Sequence, residues 1–65
     1  MLNNERRIFL SIYPDAEIEI VKKSAGRILT VNGFSALNLD DKGINSDLIL
    51  SSMKRAYLVN KKAKL

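Results

Sequence analysis

Basic side chains are the residues of this sequence best suited to bind a ligand, and they concentrate at its carboxyl end. The chain has 65 residues, with 11 Lys and Arg, 7 Asp and Glu, and a net charge of +4. Residues 54–65 hold five basic side chains and no acidic one. Such a segment attracts phosphate, in nucleic acid or at an anionic membrane, more strongly than evenly spread charge would. The alternative is a solvated tail that only improves solubility.

A second basic group, Lys22, Lys23 and Arg27, surrounds a turn predicted at residues 24–26. Its cations and backbone N–H groups can hold a phosphate, but the spacing is not that of a nucleotide-binding P-loop, and a basic hairpin turn is the simpler interpretation. Arg27 and Arg55 are the side chains best suited to contact guanine through two hydrogen bonds. The predicted nucleic-acid-binding residues are Lys22, Lys23, Arg27, Lys54, Arg55, Lys61, Lys62 and Lys64.

Enzyme chemistry has few candidate residues. Cys and His are absent, which excludes disulfides, thiolate nucleophiles and the usual zinc, haem and iron–sulfur ligand sets, and leaves no His to activate a serine. Asp40 and Asp41 form a carboxylate pair that suits a turn better than a cation site. Glu17 and Glu19 share one side of a predicted strand, where a solvent face is a better interpretation than an acid–base pair. We expect no catalysis, no metal and no cofactor.

Neither export nor membrane insertion is expected. The basic start of the chain is followed by three consecutive apolar residues, too few for the apolar region of a signal peptide. The longest uninterrupted apolar run, residues 56–59, is far below the roughly 20 residues that cross a bilayer. These features predict a cytoplasmic protein.

Five elements are predicted to position the basic groups within one small domain of residues 1–65. Pro14 ends the first helix, and Asn32 with Gly33 gives the strongest two-residue hairpin signal, because both positions of a type I′ turn need a positive φ. The elements are a helix at residues 3–12, strands at 16–22, 27–31 and 34–39, and a helix from Asn45 or Ser46 to about residue 62. The predicted fold is α+β: an N-terminal helix, a three-stranded antiparallel meander and a C-terminal amphipathic helix. Whether the last few residues, beyond Asn60, are ordered is left open.

Helical periodicity predicts which side of each helix is buried. The apolar stripe of the first helix consists of Ile8, Phe9 and Ile12. That of the last helix consists of Ile49, Met53, Ala56 and Tyr57. The opposite side of the last helix then carries the four cations between residues 54 and 62.

The two-residue turn also predicts a register for the second and third strands. The predicted pairs are Val31 with Phe34, Leu29 with Ala36, and Ile28 with Leu37 on the other side of the sheet. Apolar groups then lie on both faces of the sheet, and the helices cover only one of them. The other face needs part of the chain or a second copy, so a homodimer is expected.

An alternative interpretation is all-helical. Residues 15–29 can be written as a helix, although a glycine and several β-branched residues disfavour it. The segment 43–49 then resembles the turn region of bacterial helix-turn-helix regulators, which implies an all-α fold with the last helix as recognition helix. The resemblance covers under a quarter of the chain. The preceding helix, residues 35–42, would place Asn38 and Lys42 where such motifs bury apolar side chains.

Together these features predict a small, basic, non-enzymatic nucleic-acid-binding protein that serves as a regulator. DNA is favoured over RNA, because no surface of interleaved basic and aromatic residues is visible. The alternative is an adaptor or inhibitor that docks on a protein partner through an exposed apolar sheet or helix face. Membrane-surface binding is disfavoured, because the last helix has no Trp and a single Tyr.

Overall fold

The order of elements predicted from the sequence is the order observed. A computed structural model describes residues 2–63. The elements are α1 (Leu2–Ile12), β1 (Ile18–Lys23), β2 (Gly26–Val31), β3 (Phe34–Asn38) and α2 (Ser46–Ala63), each within two residues of its predicted bounds. The strands form one antiparallel sheet in the order β1-β2-β3, which confirms the α+β fold. The all-helical alternative is wrong, because most of its first helix is the β1–β2 hairpin.

Local sequence explains where these elements begin and end. The side-chain oxygen of Asn45 accepts a hydrogen bond of 2.8 Å from the backbone N–H of Leu48, which is an N-cap for α2. Asn32 and Gly33 have φ of 53° and 83°, as the predicted type I′ turn between β2 and β3 requires. α1 ends before Pro14, whose ring disfavours a helical conformation in the residue that precedes it.

The register of β2 and β3 departs from the predicted one after the first pair. Val31 pairs with Phe34 as predicted, but Leu29 pairs with Leu37 and not with Ala36. The cause is a β-bulge, which inserts one extra residue into β3 and shifts every later pair by one position. Because cross-strand partners share a face, the bulge brings Leu37 to the side of the buried Leu29, where it packs against the core.

The bulge also changes the face of the sheet that the helices do not cover. Ile28 pairs with Asn38 and not with Leu37 as predicted. Its partner on β1, Val21, is apolar, whereas Thr30 and Ser35 on the same face are polar. This face is therefore less apolar than predicted, and it no longer supplies the reason for expecting a second copy there.

The core lies between the sheet and α2, with α1 packed on α2. The buried side of α2 is the predicted one, and β2 supplies Leu29 and Val31 from the sheet. Phe34 is partly buried against this core. The buried apolar residues are Phe9, Ala16, Leu29, Val31, Ile49, Met53, Ala56 and Tyr57.

The predicted apolar stripe of α1 is only partly buried. Phe9 lies in the core as predicted, whereas Ile8 and Ile12 are 48% and 62% exposed. The helix packs mainly against α2, so only a narrow stripe is covered. That stripe runs through Glu5 and Phe9, four residues apart and therefore on one side of the helix.

Two polar contacts hold α1 and the loop that follows it against α2. The buried Glu5 accepts a hydrogen bond of 3.0 Å from the hydroxyl of Ser46, the first residue of α2. A carboxylate beside the N-terminus of α2 is stabilised by the positive end of the helix dipole. At the other end of the contact, the hydroxyl of Tyr57 donates a 2.7 Å hydrogen bond to Asp15, while its ring centroid lies 4.4 Å from that of Tyr13.

Candidate nucleic-acid interface

Four of the predicted nucleic-acid-binding residues lie together on the side of α2 that faces away from the sheet. They belong to a shallow groove of about 570 Å³ along the helix. We call its lining the α2 outer face, which consists of Ser51, Lys54, Arg55, Leu58, Val59, Lys61 and Lys62. The four cations are exposed, as predicted. Lys64, also predicted to bind, lies outside the described residues.

The position of these cations follows from the buried side of the same helix. Ile49 and Met53 point into the core, so residues about half a turn away from them must point outward. The cations form two pairs, Lys54 with Arg55 and Lys61 with Lys62. Seven residues, two helical turns or about 10 Å, separate the pairs along the axis. A helix about 10–12 Å across fits the major groove of B-DNA, about 12 Å wide.

Three of the four cations of the α2 outer face make no side-chain polar contact within residues 2–63. Within residues 2–63, Lys54, Arg55 and Lys62 have no hydrogen bond or ion pair through their side chains. Lys61 differs, since its ammonium group lies 5.3 Å from the centroid of the Tyr57 ring. A side-chain hydrogen bond and electrostatic interaction with Tyr57, together with the charge of Asp15, raise the pKa of Lys61. The charge of Lys61 therefore already interacts with Tyr57 within the same chain.

Arg27, at the β1–β2 hairpin, is paired with an acidic side chain. Its Nε and Nη2 donate hydrogen bonds of 3.1 and 3.0 Å to Oδ1 of Asp40, and its backbone N–H donates one of 2.7 Å to Oδ2. These hydrogen bonds with Arg27 lower the pKa of Asp40 below its usual value of 3.8. The guanidinium group predicted to contact guanine is thus already bound to a carboxylate.

We use the name hairpin tip for residues 22–27, which include Lys22, Lys23 and Arg27. Lys22 and Lys23 are exposed. The hairpin tip lies at the far end of β2 from Asn32, whose side-chain amide donates a 3.4 Å hydrogen bond to Asn60 near the end of α2. Five residues of β2 span about 16 Å. The structure therefore separates the hairpin tip from the pair Lys61 and Lys62.

The α2 outer face also contains apolar side chains that the sequence interpretation missed. Leu58 and Val59 are each 46% exposed among the cations. Leu58 lies four residues from both Lys54 and Lys62, so helical phase alone places it on their side of the helix. The outer face predicted as basic is in fact basic and apolar.

Among the carboxylates considered for chemistry, that of Asp40 has a structural partner. Asp40 binds Arg27, and its backbone N–H donates a 2.9 Å hydrogen bond to Oδ1 of Asn38, as expected of a turn residue. The backbone N–H of Glu17 donates a 2.8 Å hydrogen bond to Asn32. Within residues 2–63, no three acidic side chains gather where they could hold a metal ion. Neither helix, over the same residues, has the length and apolar character needed to cross a bilayer.

Comparison with known proteins finds no matching family profile, no similar curated protein and no similar solved structure.

Proposed function

We propose that this protein is a small non-enzymatic DNA-binding regulator that contacts the phosphate backbone through the α2 outer face and works as a homodimer in the cytoplasm. One observation carries the proposal. Lys54, Arg55 and Lys62 are exposed on one side of one helix, with no acidic partner among residues 2–63. Because each contacted phosphate releases a condensed counterion, cations arranged in this way bind duplex DNA with a strong dependence on salt.

The proposed contacts have different roles. Lys54 and Lys62 neutralise phosphates and set the position of the helix, whereas Arg55 is also able to contact a guanine edge through two hydrogen bonds. Duplex DNA is favoured over single-stranded nucleic acid, since stacking of unpaired bases needs exposed aromatic rings. Phe9 and Tyr57 are buried, and Tyr13 packs against them.

The test is the affinity for a fluorescent 20-base-pair duplex, measured by anisotropy at low salt. The triple variant Lys54→Ala, Arg55→Ala, Lys62→Ala removes the three unpaired cations of the α2 outer face. We expect its affinity to fall at least 100-fold, since three phosphate contacts are lost.

The matched control removes the same net charge elsewhere. Arg6, Arg7 and Lys42 are exposed and outside every predicted binding group. We expect their combined replacement by Ala to lower affinity less than tenfold, through net charge alone. Equal losses in the two triple variants would contradict the proposed interface, because nonspecific attraction would then account for all binding.

A second candidate function rests on Leu58 and Val59. Apolar side chains half exposed among cations suit a protein partner that has an acidic amphipathic helix. A synthetic peptide helix with Leu at i and i+4, flanked by Glu, is the probe, and calorimetry measures its binding. This function predicts that Leu58→Ser with Val59→Ser abolishes peptide binding. DNA binding through phosphates predicts that the same variant retains its duplex affinity within about threefold.

A further inference from the structure

The exposed edge of the sheet carries a pattern that fits a second copy of the same edge. β1 pairs with β2 on one side only, and every residue from Glu19 to Lys23 is exposed. Ile20 and Val21, on opposite faces, are 46% and 37% exposed. A free edge with apolar groups on both faces is a template for another strand.

The backbone hydrogen bonds show which groups of β1 face this free edge. The N–H of Asn32 donates a 2.8 Å hydrogen bond to the C=O of Glu17, so this pair, next to the pair Ile18–Val31, is hydrogen-bonded across β1 and β2. Hydrogen-bonded and non-hydrogen-bonded pairs alternate in an antiparallel ladder. The N–H and C=O groups of Ile18, Ile20 and Lys22 therefore point away from β2, toward the free edge.

The charges along β1 are self-complementary. Glu17 immediately precedes the strand and Glu19 lies near its beginning, whereas Lys22 and Lys23 lie at its end. In an antiparallel pair of identical strands centred on Ile20, Glu17 of one copy faces Lys23 of the other. A pair centred on Glu19 would instead place two identical carboxylates opposite each other, which is unfavourable.

We infer that two copies of the chain pair antiparallel through β1, centred on Ile20, to form one continuous six-stranded sheet. In this register Ile20 faces Ile20 of the second copy, and Ile18 faces its Lys22. The three residues whose backbone N–H and C=O groups point toward the free edge are Ile18, Ile20 and Lys22. In this register each of them forms a hydrogen-bonded pair, with two backbone hydrogen bonds. In a register centred on Val21, opposite charges also pair. Ile18 then lies beyond the end of the opposing strand and has no partner for its backbone groups.

The inference rests on the homodimer of the proposed function and identifies its interface. A two-fold axis perpendicular to the sheet places both helical layers on the same face. The two copies of the α2 outer face then point to the same side, which doubles the cations available to one duplex.

Exchanging the charges of Glu17 and Lys23 tests the interface. Sedimentation equilibrium measures the mass in solution, and the monomer has a mass of 7.3 kDa. We expect the wild type to be a dimer, and Glu17→Lys or Lys23→Glu alone to weaken dimerisation at least tenfold. The combined Glu17→Lys, Lys23→Glu variant should recover the dimer. Six residues of strand separate these two positions, about 20 Å, so rescue cannot occur within one chain.

A cysteine cross-link tests the register, since the native chain has no Cys. Ile20→Cys should form a disulfide-linked dimer on mild oxidation, because Cα atoms of a hydrogen-bonded pair lie about 5.5 Å apart. Val21→Cys is the control, as its diagonal distance of about 7–8 Å exceeds the reach of a disulfide. Circular dichroism shows whether each variant is folded.

A monomeric wild type, or a double variant that stays as weak as the single ones, would overturn the inference. A monomer would mean that Lys22 and Lys23 protect the edge against pairing. Efficient cross-linking of Val21→Cys, but not of Ile20→Cys, would overturn the register. DNA binding is measured separately: the Lys54→Ala, Arg55→Ala, Lys62→Ala variant should stay dimeric, so failure of the interface and failure of the DNA proposal give different results.

Discussion

The hairpin tip and the α2 outer face are both basic in sequence, yet the structure uses their charges differently. At the hairpin tip, Arg27 is bound to Asp40 by side-chain and backbone hydrogen bonds. On the α2 outer face, Lys54, Arg55 and Lys62 have no such partner among residues 2–63. A count of cations along the chain therefore does not measure the charge available to a ligand, because a bound carboxylate cancels most of the field of its partner.

The largest expected effect concerns the support of the α2 outer face. Met53 is fully buried on the other side of that helix, so Met53→Ala leaves a cavity in the core. We expect the free energy of unfolding to fall by about 2–5 kcal/mol, as measured by urea denaturation. Such a loss would also abolish duplex binding wherever it unfolds the chain, since the cations would no longer share one surface.

Leu58→Ala is the matched control for this variant. It removes an apolar side chain from the same helix, but at a half-exposed position on the α2 outer face. We expect the free energy of unfolding to change by less than about 1 kcal/mol. Equal losses from Met53→Ala and Leu58→Ala would show that the buried and outer sides of α2 have been misassigned.

A smaller effect is expected when the hairpin tip is distorted. Gly26 has a φ of +131°, and a Cβ at this position would lie 2.8 Å from Oδ1 of Asn38 and 2.9 Å from Oδ2 of Asp40. We expect Gly26→Ala to lower the free energy of unfolding by about 1–3 kcal/mol, from backbone strain and from displacement of Asp40. Duplex affinity, measured where the variant is folded, should change less than threefold. A loss as large as that of the α2 triple variant would place the DNA contacts at the hairpin tip.

The smallest effect concerns pH. Because Arg27 lowers the pKa of Asp40, the folded chain holds the carboxylate form more strongly than the unfolded chain does. Its contribution to stability is fully present above the unfolded value of 3.8 and disappears as the pH falls through the lower pKa of the folded state.

Asp40→Asn removes this dependence. The difference in urea midpoint between wild type and Asp40→Asn should be largest near neutral pH and should shrink as the pH falls below 3.8. The exposed position of the pair keeps the whole difference small. A difference that grows on acidification would contradict the assignment of the lowered pKa to the pairing with Arg27.

The fold could be predicted because its signals are local. The alternation that begins at Ala16, the Asn32-Gly33 turn and the Asn45 cap each act over a few residues, and each predicted the element observed. The amphipathic pattern of α2 likewise predicted its buried side, and the same phase would have placed Leu58 among the cations.

The parts that the sequence did not reveal depend on distant residues. Arg27 and Asp40 are thirteen positions apart, and their pairing requires β2 and β3 to be aligned already. The β-bulge depends on how Leu37 packs against the core, which turn spacing does not encode. For the same reason, the exposed Ile8 and Ile12 follow from where α1 sits against α2, and not from the periodicity of α1.

The central claim is that the α2 outer face binds phosphate, and the salt dependence of duplex affinity tests it most directly. With the three contacts made by Lys54, Arg55 and Lys62, a plot of log K against log salt should have a slope of about −2.7 for each bound chain. Lys62→Ala should bring the slope closer to zero by about 0.9, whereas Arg7→Ala should leave it unchanged. A wild-type slope near zero, or equal changes from the two variants, would contradict the account.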